Sequence, residues 1–217
     1  MATSYIFCPS RILNKEKIKI PVSKSNDDGN IYIAADSGIK TAEKLNIKPD
    51  ILIGDFDSFD LAELKNNDMK IIKYPAEKND TDLMLAVKYS IENNYKNIVI
   101  IGGLDGRIDH TLVNLFYLKY INNHGGLGYI TNGYNKISYL ENSSVKIYKD
   151  YKYISIIPVT PEINGLTLNG FKYNLDNATV KFEEPYTVCN EIANESEYGE
   201  ITISNGCALI CECDDML

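Results

Sequence analysis

The chain predicts an α/β domain, with a mostly parallel sheet and helices on both faces, followed by a small all-β sandwich. Three observations carry this. Up to about residue 132, short apolar runs alternate with stretches of helical period, as in βαβ units. The strand-like runs are apolar throughout rather than alternating, as in a sheet covered on both faces. After Gly133 the texture changes. No long helical period occurs, and short strand-like segments are separated by turn signals at Asn164-Gly165, Asn169-Gly170 and Asn205-Gly206. The domains are therefore placed at 1–132 and 133–217.

Residues 4–8 form the first strand. Ile31-Tyr32-Ile33-Ala34-Ala35 is the second, and it stops on a carboxylate, Asp36. Ser37-Gly38 leads into a helix over about 39–46, in which Ile39, Ala42 and Leu45 make one apolar stripe. Pro49-Asp50 breaks the chain before a strand at Ile51-Leu52-Ile53, which ends on Gly54-Asp55-Phe56-Asp57. A helix over 60–67 and a strand over 70–74 follow, closed by Pro75. Lys78-Asn79-Asp80-Thr81-Asp82 then opens a long helix to about Tyr95. Asp80 or Thr81 is its N-cap, and Asp82 lies in the first turn, where the helix dipole favours negative charge. The strand 97–101 runs into Gly102-Gly103-Leu104-Asp105-Gly106-Arg107-Ile108-Asp109-His110. A strand, a glycine-rich loop and a helix present backbone N–H groups to phosphate. The helix over 109–123, with Leu112, Val113, Leu115, Phe116 and Leu118, is apolar on most sides and is expected to be buried. A strand over 127–131 completes the first domain. In the second, strands are expected at about 136–141, 144–149, 153–158, 163–168, 178–182, 187–192, 199–204 and 207–213.

Composition excludes several functions. The net charge of -8 argues against a nucleic-acid footprint, which needs a basic patch. No apolar run is long enough to span a bilayer, and Met1-Ala2-Thr3-Ser4-Tyr5 lacks the basic and apolar regions of a signal peptide. The five cysteines form no C-x-x-C pair, which suggests reduced thiols in a cytoplasm. With two histidines, a His-rich zinc site is not expected. Of 22 basic residues only Arg11 and Arg107 are arginines, so the planar, phosphate-matching fork is used sparingly.

The ends of parallel strands share one sheet edge, and that edge is where ligands bind in open α/β sheets. Asp36, Asp55, Asp57 and the loop 102–107 all follow strand ends. Asp80, Asp82 and Asp109 stand at helix starts, on the same edge. Singly, each acid is equally well a turn or cap residue. Together they describe one acidic crevice, of the hard-oxygen kind that Mg²⁺ prefers.

In order and spacing, Ala35-Asp36-Ser37-Gly38, Pro49 to Ser58, Lys78 to Asp82, and Gly102 to His110 with Asn114 resemble the thiamine pyrophosphokinase family. Gly165 to Tyr173 and Asn190-Glu191 resemble that family's β-rich, thiamine-binding domain, so the likeness covers nearly the whole chain. It implies transfer of the β,γ-diphosphate of ATP, as a unit, to the hydroxyethyl oxygen of thiamine, giving thiamine diphosphate and AMP. It also implies Mg²⁺ dependence and a homodimer, with each site built from the catalytic domain of one subunit and the β-domain of the other. On this basis Asp55, Asp57, Asp80 and Asp109 are the metal ligands, with Asp36 a further crevice candidate. Arg107 and Lys78 hold phosphate oxygens. Gly102, Gly103 and Gly106 let the backbone approach the nucleotide, Thr81 adds a hydroxyl, and Asn114 and His110 are secondary. Asn190 and Glu191 read thiamine. Two positions depart from the family pattern. Cys189 stands where serine is usual. Asp105 stands where small residues are common, and its charge suits a phosphate site only if it points away or meets the metal. Two rival readings are a Mg²⁺-nucleotide enzyme with another small alcohol or heterocycle as acceptor, and a sensor of nucleotide or thiamine that has lost catalysis.

Overall fold

A computed structural model describes residues 2–21, 29–56, 69–75, 77 and 79–215. The helix expected over 60–67 lies outside these residues, as do Asp57 and Lys78. The chain divides into two units, Met1–Gly133 and Tyr134–Leu217.

Among the described residues the first unit holds six strands: β1 Thr3–Phe7, β2 Ile31–Ala35, β3 Ile51–Gly54, β4 Lys70–Lys73, β5 Asn97–Ile101 and β6 Leu127–Thr131. They lie in the order β4-β3-β2-β1-β5-β6, and each pairing is parallel. The described helices are α1 Ile39–Lys44, α2 Asp82–Glu92 and α3 Ile108–Asn123. Side chains of β1 alternate between the faces. Tyr5 and Phe7 join Val99, Ile101 and Ala42 of α1 on one face. Ser4 points to the other, its Oγ 2.7 Å from Ser90 Oγ of α2. Helices thus cover both faces, which is why the strands read as continuous apolar runs. Ile6, Phe7, Ile33, Leu52, Ile53, Ile98, Ile100, Ile101 and Ile130 are fully buried. Each side chain of that size contributes roughly 1.5–3 kcal/mol to folding.

The strand order turns at β1. The chain builds outward through β2, β3 and β4 on one side, then returns to place β5 on the other. The loops after β1 and β5 therefore diverge and leave a crevice at their carboxyl ends, the switch point of a doubly wound sheet.

One expectation for the first unit needs correcting. The helix read as buried, α3, buries only Leu118 and Ile121. Ile108, Leu112 and Phe116, at successive four-residue steps on one face, are 71%, 49% and 63% exposed. The C-terminal part of α3 packs over β6, while its N-terminal turns stand at the crevice end of the sheet. Apolar content alone does not say which surface will cover a helix.

The second unit is antiparallel throughout. Its strands are β7 Asn135–Glu141, β8 Ser144–Tyr148, β9 Tyr153–Pro158, β10 Glu162–Asn169, β11 Leu175–Lys181, β12 Tyr198–Thr202 and β13 Cys207–Cys213. They form two layers, β7-β13-β9 and β11-β10-β12-β8. Ile154, Ile156 and Ile210 of the first layer meet Ile163, Leu166, Leu168 and Ile201 of the second in one core, a sandwich. The strand expected over 187–192 is not regular. Asn190 bridges Ile154 and Ile192 bridges Phe171, but Cys189, just before them, has a φ of +56°, which breaks the two-residue period.

Candidate active site

The crevice at the switch point is a cavity of about 680 Å³, ample for a nucleotide. All its lining residues belong to the first unit. Cys8 and Pro9 come from the end of β1, Asp36 from the end of β2 and Asp55 from the end of β3. Asp80, Thr81, Asp82 and Leu83 come from the start of α2. Gly103, Asp105, Arg107, Asp109, His110, Val113 and Asn114 come from the loop after β5 and the first turns of α3. Of the residues read from sequence, the structure brings Asp36, Asp55, Asp80, Thr81, Gly103, Arg107, Asp109 and Asn114 to this one cavity. Asp57 and Lys78 lie outside the described residues.

Asp36 is the most unusual of these groups. Its backbone has a φ of +46°, where non-glycine residues are rare. Its Oδ1 is buried with no hydrogen-bond partner among the described residues. Room for it comes from Gly54, where a Cβ would stand 3.3 Å from the Asp36 Cα. A buried carboxylate oxygen without a donor costs stability unless a cation meets it.

Two of the other acids hold cations from the protein. Asp80 Oδ2 accepts from Lys88 Nζ at 2.6 Å. Asp109 takes the Arg107 fork through both oxygens, at 3.1 Å from Nε and 2.5 Å from Nη2. That hydrogen bond holds the Asp109 carboxyl below its usual range and raises the Arg107 guanidinium further. Among the described residues no three acidic, histidine or cysteine side chains already converge as a metal cage. The donor set still fits a hard cation. It offers carboxylates from four chain segments around one cavity, and one oxygen is buried and unsatisfied among the described residues.

The glycine loop is shaped by close approach. A Cβ on Gly102 would lie 2.6 Å from the Cys8 carbonyl oxygen, so only glycine lets the loop pass β1. Gly103 faces Asn114, whose Nδ2 donates to the Gly103 carbonyl at 2.8 Å. Asn114 therefore anchors the loop to α3. Gly106 has a φ of +97°, open only to glycine at low cost. Thr81 is the N-cap of α2. Its Oγ1 accepts from the Met84 N–H at 3.2 Å and lies 2.9 Å from the Tyr117 hydroxyl.

Sequence reasoning missed Cys8 and Pro9. The signal was the same as for Asp36, since both directly follow an apolar strand. Burial, with Asp82 nearby, pushes the Cys8 thiol up to about 12, so it lines the crevice as a neutral group.

In the second unit, Asn190 is buried and its side chain is committed to backbone. Oδ1 accepts from the N–H groups of Tyr173 and Glu191 at 3.2 and 2.9 Å, and Nδ2 donates to the Tyr173 carbonyl at 2.8 Å. Glu191 meets Lys172 at 2.8 Å. Cys189 is exposed, and its N–H donates to Ser155 Oγ at 3.0 Å.

Residues 22–126 match the family model of the thiamin pyrophosphokinase catalytic domain, and residues 142–208 match that of its vitamin B1 binding domain. Thiamine pyrophosphokinase of Bacillus subtilis is 31% identical over 195 residues, which is 87% of this chain and 90% of that protein. The chain belongs to the thiamin pyrophosphokinase family. Thiamin pyrophosphokinase 1 of Caenorhabditis elegans is 26% identical over 69% of this chain and 65% of its own length. A crystal structure of the Bacillus subtilis thiamine pyrophosphokinase superposes over 100% of both chains with a TM-score of 0.83 and 26% identity. Thiamin pyrophosphokinase from Candida albicans, at 18% identity, shares the fold with a TM-score of 0.72 over 98% of this chain and 89% of its own. The crevice residues from Asp36 to Asn114 all fall in the stretch that matches the thiamin pyrophosphokinase catalytic domain. Asn190 and Glu191 fall in the stretch that matches the vitamin B1 binding domain.

Proposed function

We propose that this thiamine diphosphokinase transfers the diphosphate of ATP to thiamine in the acidic crevice of its first unit, with Mg²⁺ as cofactor. The observation that carries the reading is the buried Asp36 oxygen, without a partner among the described residues, in a cavity that also holds an arginine, a glycine loop and three further sets of carboxylates. Phosphoryl chemistry asks the protein mainly for positioning and charge neutralisation. Asp55, Asp57, Asp80 and Asp109 are the metal ligands, with Asp36 a further ligand candidate. When bound, Mg²⁺ supplies charge compensation for the phosphates and for the departing AMP. Arg107 and Lys78 hold phosphate oxygens, and Gly102, Gly103 and Gly106 admit the nucleotide to the loop. Arg107 and Asp109 neutralise each other in the free enzyme. A polyphosphate and its cation arriving together give each of them a new partner, so neither charge is left uncompensated. Thr81 contributes its hydroxyl at the start of α2.

Thiamine is held by the second unit. Asn190 fixes the Tyr173–Glu191 corner, and Glu191 offers a carboxylate to the aminopyrimidine. The enzyme acts as a homodimer, pairing the crevice of one subunit with the second unit of the other. The exposed apolar row of Ile108, Leu112 and Phe116 supports this, because it begins beside the crevice-lining Arg107 and Asp109. Five free cysteines suit a reducing cytoplasm. No helix among the described residues is long and apolar enough to cross a membrane.

The reaction is tested by incubating the purified protein with Mg-ATP, with and without thiamine, and resolving products by ion exchange. Thiamine-dependent AMP, matched mole for mole by thiamine diphosphate, is the expected result. ADP with thiamine monophosphate would mean that a single phosphoryl group moves and would sink the reading. The dimer is tested by Phe116→Asp. Light scattering should report a monomer, with turnover lost in step. A dimer of full activity removes this face from the interface.

A further inference from the structure

We propose that Asp105 is a positioning residue for the nucleotide, a clamp that joins the loop after β1 to the glycine loop after β5. This rests on reading the crevice as the nucleotide site. The two loops diverge at the switch point, and the last bonds between them there are few. The Cys8 N–H donates to the Ile101 carbonyl at 2.8 Å, and the Gly103 N–H donates to the Pro9 carbonyl at a longer 3.3 Å. Beyond these, Asp105 takes over. Its Oδ1 accepts from Ser10 Oγ at 2.7 Å, and its Oδ2 accepts from the Arg11 N–H at 2.7 Å. Ser10 is itself fixed. It is buried, its N–H donates to Thr41 Oγ1 at 3.1 Å, and its carbonyl accepts from Lys44 Nζ at 2.8 Å. The carboxylate therefore ties the glycine loop to a rigid point on α1.

This geometry answers the charge problem that Asp105 poses. Both oxygens have donors from the β1 loop, so the negative charge is engaged in the rim of the crevice rather than offered to phosphate. The clamp lies two residues before Arg107. Between them Gly106 has a φ of +97° and no heavy atom within 4 Å of where a Cβ would stand, so packing does little to hold the loop there. Without the clamp, the nucleotide must order this segment as it binds. That cost falls equally on ground and transition states, and so appears in KM rather than kcat.

The test compares Asp105→Asn, Ser10→Ala and the double variant with the unaltered enzyme. Asp105→Asn keeps the shape of the side chain but turns an N–H₂ toward one of the two donors. KM for ATP should rise about tenfold, with kcat within twofold and KM for thiamine unchanged. The double variant should be no worse than Asp105→Asn alone, since both substitutions break one link. Amide hydrogen exchange at Arg11, read in the nucleotide-free enzyme, should quicken at least tenfold. An unchanged KM for ATP overturns the proposal, whatever the exchange shows. So does a joint loss of kcat, both KM values and melting temperature, which marks a merely structural role. Arg107→Ala is the control. If it leaves ATP kinetics untouched, the site reading fails and the clamp with it. If it weakens ATP while Asp105→Asn does not, only the clamp falls.

Discussion

Asp36→Gly is expected to lower turnover by a factor on the order of 10²–10³, the range for losing one preorganised electrostatic group, while raising the melting temperature of the metal-free protein. The two effects have one origin. Asp36 holds a φ of +46° and a buried Oδ1 without a hydrogen bond among the described residues. An unsatisfied buried acceptor costs about 1–3 kcal/mol, and a left-handed non-glycine residue costs roughly 1–2 kcal/mol. Glycine removes both, against about 0.5–1 kcal/mol of extra chain entropy in the unfolded state. The net gain is about 1–4 kcal/mol, a rise of several degrees for a chain of this size. Strain kept at a crevice is what a working acid looks like. The measurement is thiamine-dependent AMP release beside thermal unfolding in chelator. If stability fell together with activity, Asp36 would belong to the scaffold instead.

The second large effect is on stability alone. Lys136→Met should destabilise the protein by about 3 kcal/mol at neutral pH. Lys136 Nζ lies 2.8 Å from Glu212 Oε1, and the two residues are direct cross-strand partners on β7 and β13. Glu212 is 2% exposed. Burial pushes its carboxyl above the usual range, Asp150 adds to this, and Lys136 opposes it. Removing the ammonium leaves a buried carboxylate without that counter-charge. Lys136 is 30% exposed at its side chain, so water reaches part of the pair and the lower end of the range for buried ion pairs applies. The pH dependence has a definite sign. An acid whose folded pKa is raised favours folding while protonated, and that contribution is lost as pH rises through the folded value. The Lys136→Met deficit should therefore shrink as pH falls from 7 towards the ordinary glutamate value of 4.5. Adding Glu212→Leu should recover most of it. Urea unfolding at several pH values reads both. A deficit that does not vary with pH would assign the loss to packing of the lysine stem.

The parts of the fold that could be read from the sequence are those decided locally. Ile31–Ala35, Asn97–Ile101 and Leu127–Thr131 stand as strands where continuous apolar runs announce them. Thr81 caps α2 where a short polar side chain precedes the helical period. The misreadings come from partners remote in sequence. The apolar content of α3 was plain, but what covers Phe116 is not written within the helix. The strand expected over 187–192 fails at one backbone angle, at Cys189. The candidate site divides in the same way. Asp36, Asp55 and Arg107 follow strand ends that a pattern reveals. The partners of Asp105 lie 94 and 95 residues away, and no local pattern links them.

The central position of β1 has a consequence for folding. β1 pairs on one side with β2, and on the other with β5, where Thr3 meets Asn97. The first pairing closes the shorter connection, whereas the second must wait until most of the unit has been synthesised. Loop closure of that length makes for slow, late assembly. The crevice needs the glycine loop set against the acids that follow β2 and β3, so it is complete only once β1 has paired with β5. A nascent or partly unfolded chain that has made only the β1–β4 half of the sheet holds Asp36 and Asp55 but no glycine loop against them. Competence to bind nucleotide should therefore appear in one step with folding of the first unit, and nucleotide binding followed during refolding should coincide with that unit's slowest structural phase.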